Sequence, residues 1–231
     1  APDLRPGPRP GARATPPNGS PGAVNNNSTD LAVDNNNIDP GEVLRLDFGQ
    51  FSVAAGSYAV DKHIDVNAVS FALTQVPGNP GVPGASGSQN VQIKLTAYDA
   101  DSDNVLSGDP GDVKDPVTLV QVYNGSTLVA SAARAGGSVT TGGISFNFSD
   151  PNSVSIANLQ ETYSILVFTD DGFSRLEVQS LSSGDAFSVS TLSIGSYNAG
   201  NPVTQSFSVN VIDGDGDTAS SGFDVTWSPL V

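Results

Sequence analysis

Cysteine and methionine are absent from this chain, histidine and tryptophan occur once each, and lysine plus arginine number only 9. Each shortage removes a class of function. Without cysteine there is no disulfide framework and no thiolate metal site. Zinc hydrolysis draws on several His or Cys ligands, and His63 is the only histidine here. A Ser-His-Asp triad would need that same residue, which lies between acids in Asp61-Lys62-His63-Ile64-Asp65, and no G-x-S-x-G elbow stands in a strand-to-helix setting. His63 therefore reads as a solvated surface residue. Aromatic residues make up 7% of the chain, sparse for a carbohydrate-processing cleft, and Trp227 reads as core or interface. The chain is expected not to be an enzyme.

Phosphate binding needs clustered Lys and Arg, so nucleic acid is not an expected partner. No run of about 18 apolar residues occurs, so no membrane span is expected. The lack of methionine leads to the expectation of a processed, exported protein, extracellular or at the cell surface.

Aspartate is what the chain has in excess. Acidic residues number 24, for a formal net charge of −15, and only Glu42, Glu161 and Glu177 among them are glutamate. Two aspartate runs stand out: Asp99-Ala100-Asp101-Ser102-Asp103-Asn104 and Asp213-Gly214-Asp215-Gly216-Asp217-Thr218, each where an alternating segment ends. On a regular strand, alternate Cα atoms lie roughly 6.5 Å apart, too far for a row of carboxylates to close around one ion. The runs must curl to do so. Gly214 and Gly216 permit the curl, and Ala100 and Ser102 hinder it little.

Hard oxygen ligands at this spacing suit Ca2+, and Asp109-Pro110-Gly111-Asp112 offers two further carboxylates to the first run. The expected metal ligands are thus Asp99, Asp101, Asp103, Asp109 and Asp112 in one site and Asp213, Asp215 and Asp217 in another, with Asp170 and Asp171 as extras. Acidic surface turns are the plainer alternative. An EF-hand is disfavoured, because Thr218 occupies the place of the required glycine and the flanks alternate like strands.

Composition changes sharply near residue 37. Ala1–Gly22 is rich in Pro and Gly and carries Arg5, Arg9 and Arg13, while Ala23–Asn37 holds two Asn triplets around Leu31-Ala32-Val33. Such a segment cannot bury enough apolar surface to fold alone, and residues 1–37 are expected to form an extended arm. Residues 38–231 read as one calcium-binding domain.

Period-two alternation runs through Glu42–Phe48, Ala68–Val76, Val91–Tyr98, Val117–Tyr123, Ile144–Phe148, Tyr163–Thr169, Arg175–Gln179, Phe187–Ile194, Ser206–Ile212 and Gly222–Trp227. Turn signals separate these segments, among them Asp150-Pro151, Asp171-Gly172 and Asn124-Gly125. Asn124-Gly125 predicts a hairpin with a type I′ turn. No segment carries a helical period. An all-β, antiparallel β-sandwich follows, immunoglobulin-like or jelly-roll, with an N-terminal arm.

The ordered set Asn37-Ile38-Asp39-Pro40-Gly41-Glu42, Ala97-Tyr98-Asp99-Ala100-Asp101, Asp109-Pro110-Gly111-Asp112, Gly172-Phe173-Ser174-Arg175-Leu176-Glu177, Gly184-Asp185-Ala186-Phe187 and Val209–Ser220 resembles the repeat domains of type I-secreted, RTX-like calcium-binding bacterial surface adhesins. The resemblance spans Asn37 to Trp227 in a single copy. It implies a secreted β-sandwich module whose aspartate turns take Ca2+ and whose role is to extend or adhere.

A single module regains length by assembling. The expected function is therefore an extracellular structural subunit of a filament, sheath or biofilm matrix. An apolar strand around Leu31–Val33 would add to a sheet edge of the next copy. A module of a giant adhesin and a carbohydrate-binding domain are the alternatives, the latter using surface glycans near Arg175 or Tyr163. Arg175 and Glu177, on one strand face, more simply predict a cross-strand ion pair.

Overall fold

Alternating apolar and polar residues bury one face of a strand and solvate the other, so a chain built this way pairs its strands into sheets and packs the sheets face to face. The computed structural model describes residues 9–15, 24–26, 30–33, 37–54, 57–76, 90–100, 111–134, 136–181, 186–195, 203–212 and 218–227. Every regular element among them is a β-strand. The chain divides into two compact units, Ala1–Ser196 and Tyr197–Val231.

The first unit begins with Arg9–Thr15 (β1), Val24–Asn26 (β2), Asp30–Val33 (β3), Val43–Ala54 (β4), Ser57–His63 (β5), Val66–Thr74 (β6) and Val91–Asp99 (β7). Val113–Asp115 (β8), Leu119–Asn124 (β9), Thr127–Ala133 (β10), Ser138–Thr141 (β11) and Ile144–Asn147 (β12) come next. Ser153–Leu159 (β13), Tyr163–Phe173 (β14), Arg175–Ser180 (β15) and Ser188–Gly195 (β16) complete it. The second unit is a hairpin of Val203–Ile212 (β17) and Thr218–Trp227 (β18), paired from Val203↔Trp227 to Ile212↔Thr218. Each of the ten segments that alternate in sequence corresponds to one of these strands.

One sheet of the sandwich, sheet A, has the order β1-β4-β15-β7-β13-β12-β11, with β5 also on β4 and β8 also on β7. The other, sheet B, has the order β10-β9-β14-β6-β16-β3-β2. Their inner faces supply one continuous core. Leu44, Leu46 and Phe48, Ile93, Leu95 and Ala97, and Leu176 and Val178 contribute from sheet A, while Val69, Phe71 and Leu73, Val120 and Val122, and Ile165 and Val167 contribute from sheet B. This is the antiparallel β-sandwich that the alternation predicts.

The hairpin of β9 and β10 forms with a different turn register. Asn124 pairs with Thr127, so the two central residues are Gly125 and Ser126, and Gly125 takes φ +58°. Among the described residues Ser126 has no positive φ, which fits a Gly-first type II′ turn rather than a type I′ turn on Asn124-Gly125.

Two corners carry the chain from one sheet to the other at the same end of the sandwich. Ile64 and Asp65 connect β5 of sheet A to β6 of sheet B, and Ser174 connects β14 of sheet B to β15 of sheet A. Ser174 is fully buried and fastens its corner three ways. Its N–H donates to the Tyr98 carbonyl at 2.9 Å, its carbonyl accepts from Phe48 at 2.8 Å, and its Oγ accepts from the Ala100 N–H at 2.8 Å.

The N-terminal segment supplies strands to both sheets. β1 pairs along β4 from Arg9↔Gly49 to Thr15↔Val43, while β3 pairs with β16 at Leu31↔Val189 and is flanked by β2. Ala32 and Val33 sit in the core, Val33 at 0% exposure. The Asp30 carboxylate accepts hydrogen bonds from Thr74 Oγ1 at 3.1 Å and Gln75 Nε2 at 3.0 Å, which pins the start of β3 to the end of β6. The strand expected at Leu31–Val33 therefore exists, and it pairs within its own chain, between β16 and β2.

Candidate functional site

Six outward-pointing residues of sheet A form a polar stripe across three strands. The register sets Asp47 of β4 opposite Arg175 of β15, which faces Tyr98 of β7, and sets Arg45 opposite Glu177, which faces Thr96. Positions on an outer face are ordinarily solvated, yet Arg45 is 2% and Arg175 0% exposed. Burying charge is costly unless it is paired, and here it is.

Asp47 Oδ1 accepts from Arg175 Nε at 2.7 Å and Asp47 Oδ2 from Arg45 Nε at 2.8 Å, while Arg175 Nη1 donates to Asp112 Oδ2 and the Tyr98 hydroxyl donates to Glu177 Oε2 at 3.0 Å. Burial alone would lower the Arg175 pKa, but the hydrogen bonds and charge of Asp47, together with Asp112, hold it above the usual value. The cross-strand ion pair expected of Arg175 is thus made with Asp47. Glu177 accepts from Tyr98, whose hydroxyl is held protonated by burial and by that carboxylate.

His63 lies beside this stripe and is not a solvated histidine. Both ring nitrogens are buried without a hydrogen-bond partner, and desolvation lowers its pKa in spite of the nearby Asp47 carboxylate.

The second polar feature is the acidic end of the sandwich, where the two corners lie. Asp65 occupies one corner, and Asp171 lies in β14 just before the other. The pairing of β14 with β6 skips from Phe168↔Ala68 to Phe173↔Val66, so residues 169–172 bulge, which re-aims the side chains they carry. Gly172 makes the bulge possible: it has φ +98°, and a Cβ there would meet Asp65 Cβ at 3.3 Å. The Asp171-Gly172 turn signal of the sequence is therefore a bulge within a strand.

From sheet A come Asp99 and Asp115. Asp115 pairs with the core-facing Ala97, and Asp99 follows two residues along β7, so both fall on the inner face beyond the last apolar layer. Such diagonal neighbours on adjacent strands stand about 7–8 Å apart.

These four carboxylates act on one another. Burial and then the charges of Asp65 and Asp171 raise the Asp99 pKa. Burial and then Asp171, Asp99 and Asp65 push Asp115 up to about 6. Asp115 is 8% exposed, and its Oδ2 has no hydrogen-bond partner.

Of the eight ligands expected in the two metal sites, the structure describes two, and of the extras Asp171 lies at the acidic end. Asp99 belongs to the acidic end, and Asp112 is paired with Arg175. Asp101, Asp103, Asp109, Asp213, Asp215 and Asp217 lie outside the described residues. Among the described residues, no three side chains of the metal-ligating kinds converge closely enough to hold an ion as they stand. Asp65 and Asp115 escaped the sequence reading because each stands apart from the two aspartate runs. A glycine inside an alternating segment, Gly172, was the available signal, since such glycines mark bulges and close backbone approach.

A pH dependence follows. A carboxyl whose folded pKa is raised to about 6 keeps its proton in the folded state where the unfolded chain has lost it. Its contribution to stability is present below about pH 4 and is lost as pH rises through 6. After allowing for side-chain relaxation, the calcium-free protein should lose about 1–2 kcal/mol from this source between pH 4.5 and 7. Thermal melts in EGTA across that range should show the decline, and Asp115→Asn should flatten it. Equal slopes for the two proteins would contradict the assignment.

No family model, no curated protein and no solved structure matches this chain.

Proposed function

We propose that this protein is an extracellular structural subunit that assembles with copies of itself by exchanging its N-terminal arm, in a filament, sheath or matrix stabilised by Ca2+. The observation that carries the reading is the position of the arm, whose strands complete sheet A through β1 and sheet B through β3. A sheet edge recognises an added strand through main-chain hydrogen bonds and side-chain pockets, both indifferent to which copy supplies the strand. Domain exchange of this kind needs only a point about which the arm can turn. The Val33 N–H to Asn37 carbonyl bond at 3.1 Å and the Ile38↔Phe187 bridge mark that point, because the chain from Ile38 onward is anchored in its own sandwich.

Passing the arm onward from copy to copy gives a head-to-tail contact, and a head-to-tail contact that does not close produces an open fibre. Electrostatics favours calcium over its absence. A chain of net charge −15 with carboxylates crowded at one end gains from a bound divalent cation. A glycan site built on Arg175 is not favoured, since that side chain is fully buried, with Nε on Asp47 and Nη1 on Asp112.

Electron microscopy and light scattering of the full chain and of a form lacking residues 1–34, each with calcium and with EGTA, test the proposal. Fibres or higher oligomers should form from the full chain and be lost on deletion. Fibres unaffected by the deletion, or a monomeric full chain under every condition, would defeat it.

A further inference from the structure

We infer that Asp65, Asp99, Asp115 and Asp171 share one divalent cation, and that this ion fastens sheet A to sheet B where the apolar core ends. The inference rests on the reading of the protein as calcium-stabilised, and it shifts the ligands from one acidic run to four separate strand ends. Topology supplies the first support. Asp99 and Asp115 belong to sheet A, Asp171 to sheet B, and Asp65 to the corner between the sheets. An ion held by all four would therefore oppose separation of the two layers, the task a disulfide performs in other proteins and one this cysteine-free chain cannot assign to sulfur.

The second support is Asp115 itself. It is more than nine-tenths buried, its Oδ2 has no partner, and the charges acting on it are those of Asp171, Asp99 and Asp65, all of one sign. An unpartnered carboxylate oxygen enclosed among like charges is unfavourable in a folded protein, and a cation at its open side relieves both costs together.

Calcium suits the position best among divalent ions. It accepts six to eight oxygen ligands in a flexible arrangement and takes carboxylates, carbonyls and water alike, whereas Mg2+ demands a near-ideal octahedron. Asp115 is fixed by burial. Asp65, Asp99 and Asp171 are exposed and free to turn their carboxylates toward it, which the ion requires because the four do not converge unaided.

Calorimetric titration of the EGTA-treated full chain with CaCl2 near neutral pH, beside Asp115→Asn and Asp171→Asn, tests the site. Each variant should bind one equivalent of calcium fewer than the parent, and a chain with Asp213, Asp215 and Asp217 all changed to Asn should retain that equivalent. In EGTA, Asp115→Asn should melt above the parent, because it removes a repelled charge, and it should gain less from added calcium. Unchanged stoichiometry and affinity in both single variants would overturn the site while leaving calcium binding elsewhere intact. No binding by the full chain would overturn the calcium reading as well. If Asp115→Asn does not fold, Asp171→Asn, at an exposed position, decides alone.

Discussion

Replacing Arg175 by Met is expected to cost about 3–5 kcal/mol of unfolding free energy, a large share of the stability of an ordinary domain. The guanidinium is fully buried and holds two carboxylates at once, Asp47 through Nε and Asp112 through Nη1. Methionine fills much of the same volume but takes the buried guanidinium away from both carboxylates, and Asp47 then keeps Arg45. The uncompensated charge, more than the lost attraction, sets the size of the effect. The Lys94–Asp150 pair makes the contrast. Its atoms are 3.4 Å apart and its side chains are 31% and 43% exposed, so Lys94→Ala should change stability by about 1 kcal/mol or less. Urea unfolding followed by circular dichroism measures both. A loss from Arg175→Met no larger than that from Lys94→Ala would mean that the stripe is not structural. Adding Asp47→Asn to Arg175→Met should recover part of the loss, because it removes one of the stranded charges.

Removing residues 1–34 is expected to lower stability by about 3 kcal/mol, chiefly through Val33, with Leu31 and Ala32 adding less. Val33 is fully buried, and its strand carries the Asp30 carboxylate that binds Thr74 and Gln75. For a chain of this length that corresponds to a fall in melting temperature of about 10 °C. The same cut leaves β16 and the Val43–Phe48 part of β4 as bare edges, the kind of surface that recruits strands from other chains. The estimate is modest for so long a segment because ordering a Pro-, Gly- and Asn-rich arm has its own entropic cost. A strand held by a small net margin is one that a neighbouring copy can displace when concentration is high. Scanning calorimetry reads the shift, and a truncated chain that melts within a degree or two of the full chain would show that the arm contributes nothing.

The sandwich was legible in the sequence wherever burial is one-sided. Val91–Tyr98 reads apolar at 91, 93, 95 and 97, and those are the side chains buried between the sheets. Ser153–Leu159 was missed because serine and asparagine dilute the pattern, although Val154 and Ile156 lie fully buried and Ser153 is enclosed as well. β8, with three residues, is too short to show a period at all. The arm was legible in composition but not in its destination, since alternation says which face of a strand is apolar and nothing about which edge it joins.

The acidic end was half legible. Asp99 and Asp171 lie in conspicuous motifs, whereas Asp65 and Asp115 reach it only through pairing of segments far apart in the chain. Asp112 illustrates the converse difficulty. Its neighbours in sequence mark it as a calcium ligand, and the fold brings it to Arg175, a partner that spacing along the chain could not reveal.

The absence of cysteine makes the decisive measurement simple. Leu31 of β3 and Val189 of β16 are direct cross-strand partners, at a spacing that a disulfide can bridge, so a chain carrying Leu31→Cys and Val189→Cys has one possible pairing and no competing thiols. Oxidised after assembly and run without reductant, it should give a ladder of covalent multimers that lengthens with protein concentration, as arm exchange requires. Chains closed only on themselves at every concentration would show that each arm stays at home, and the proposed route of assembly would be wrong.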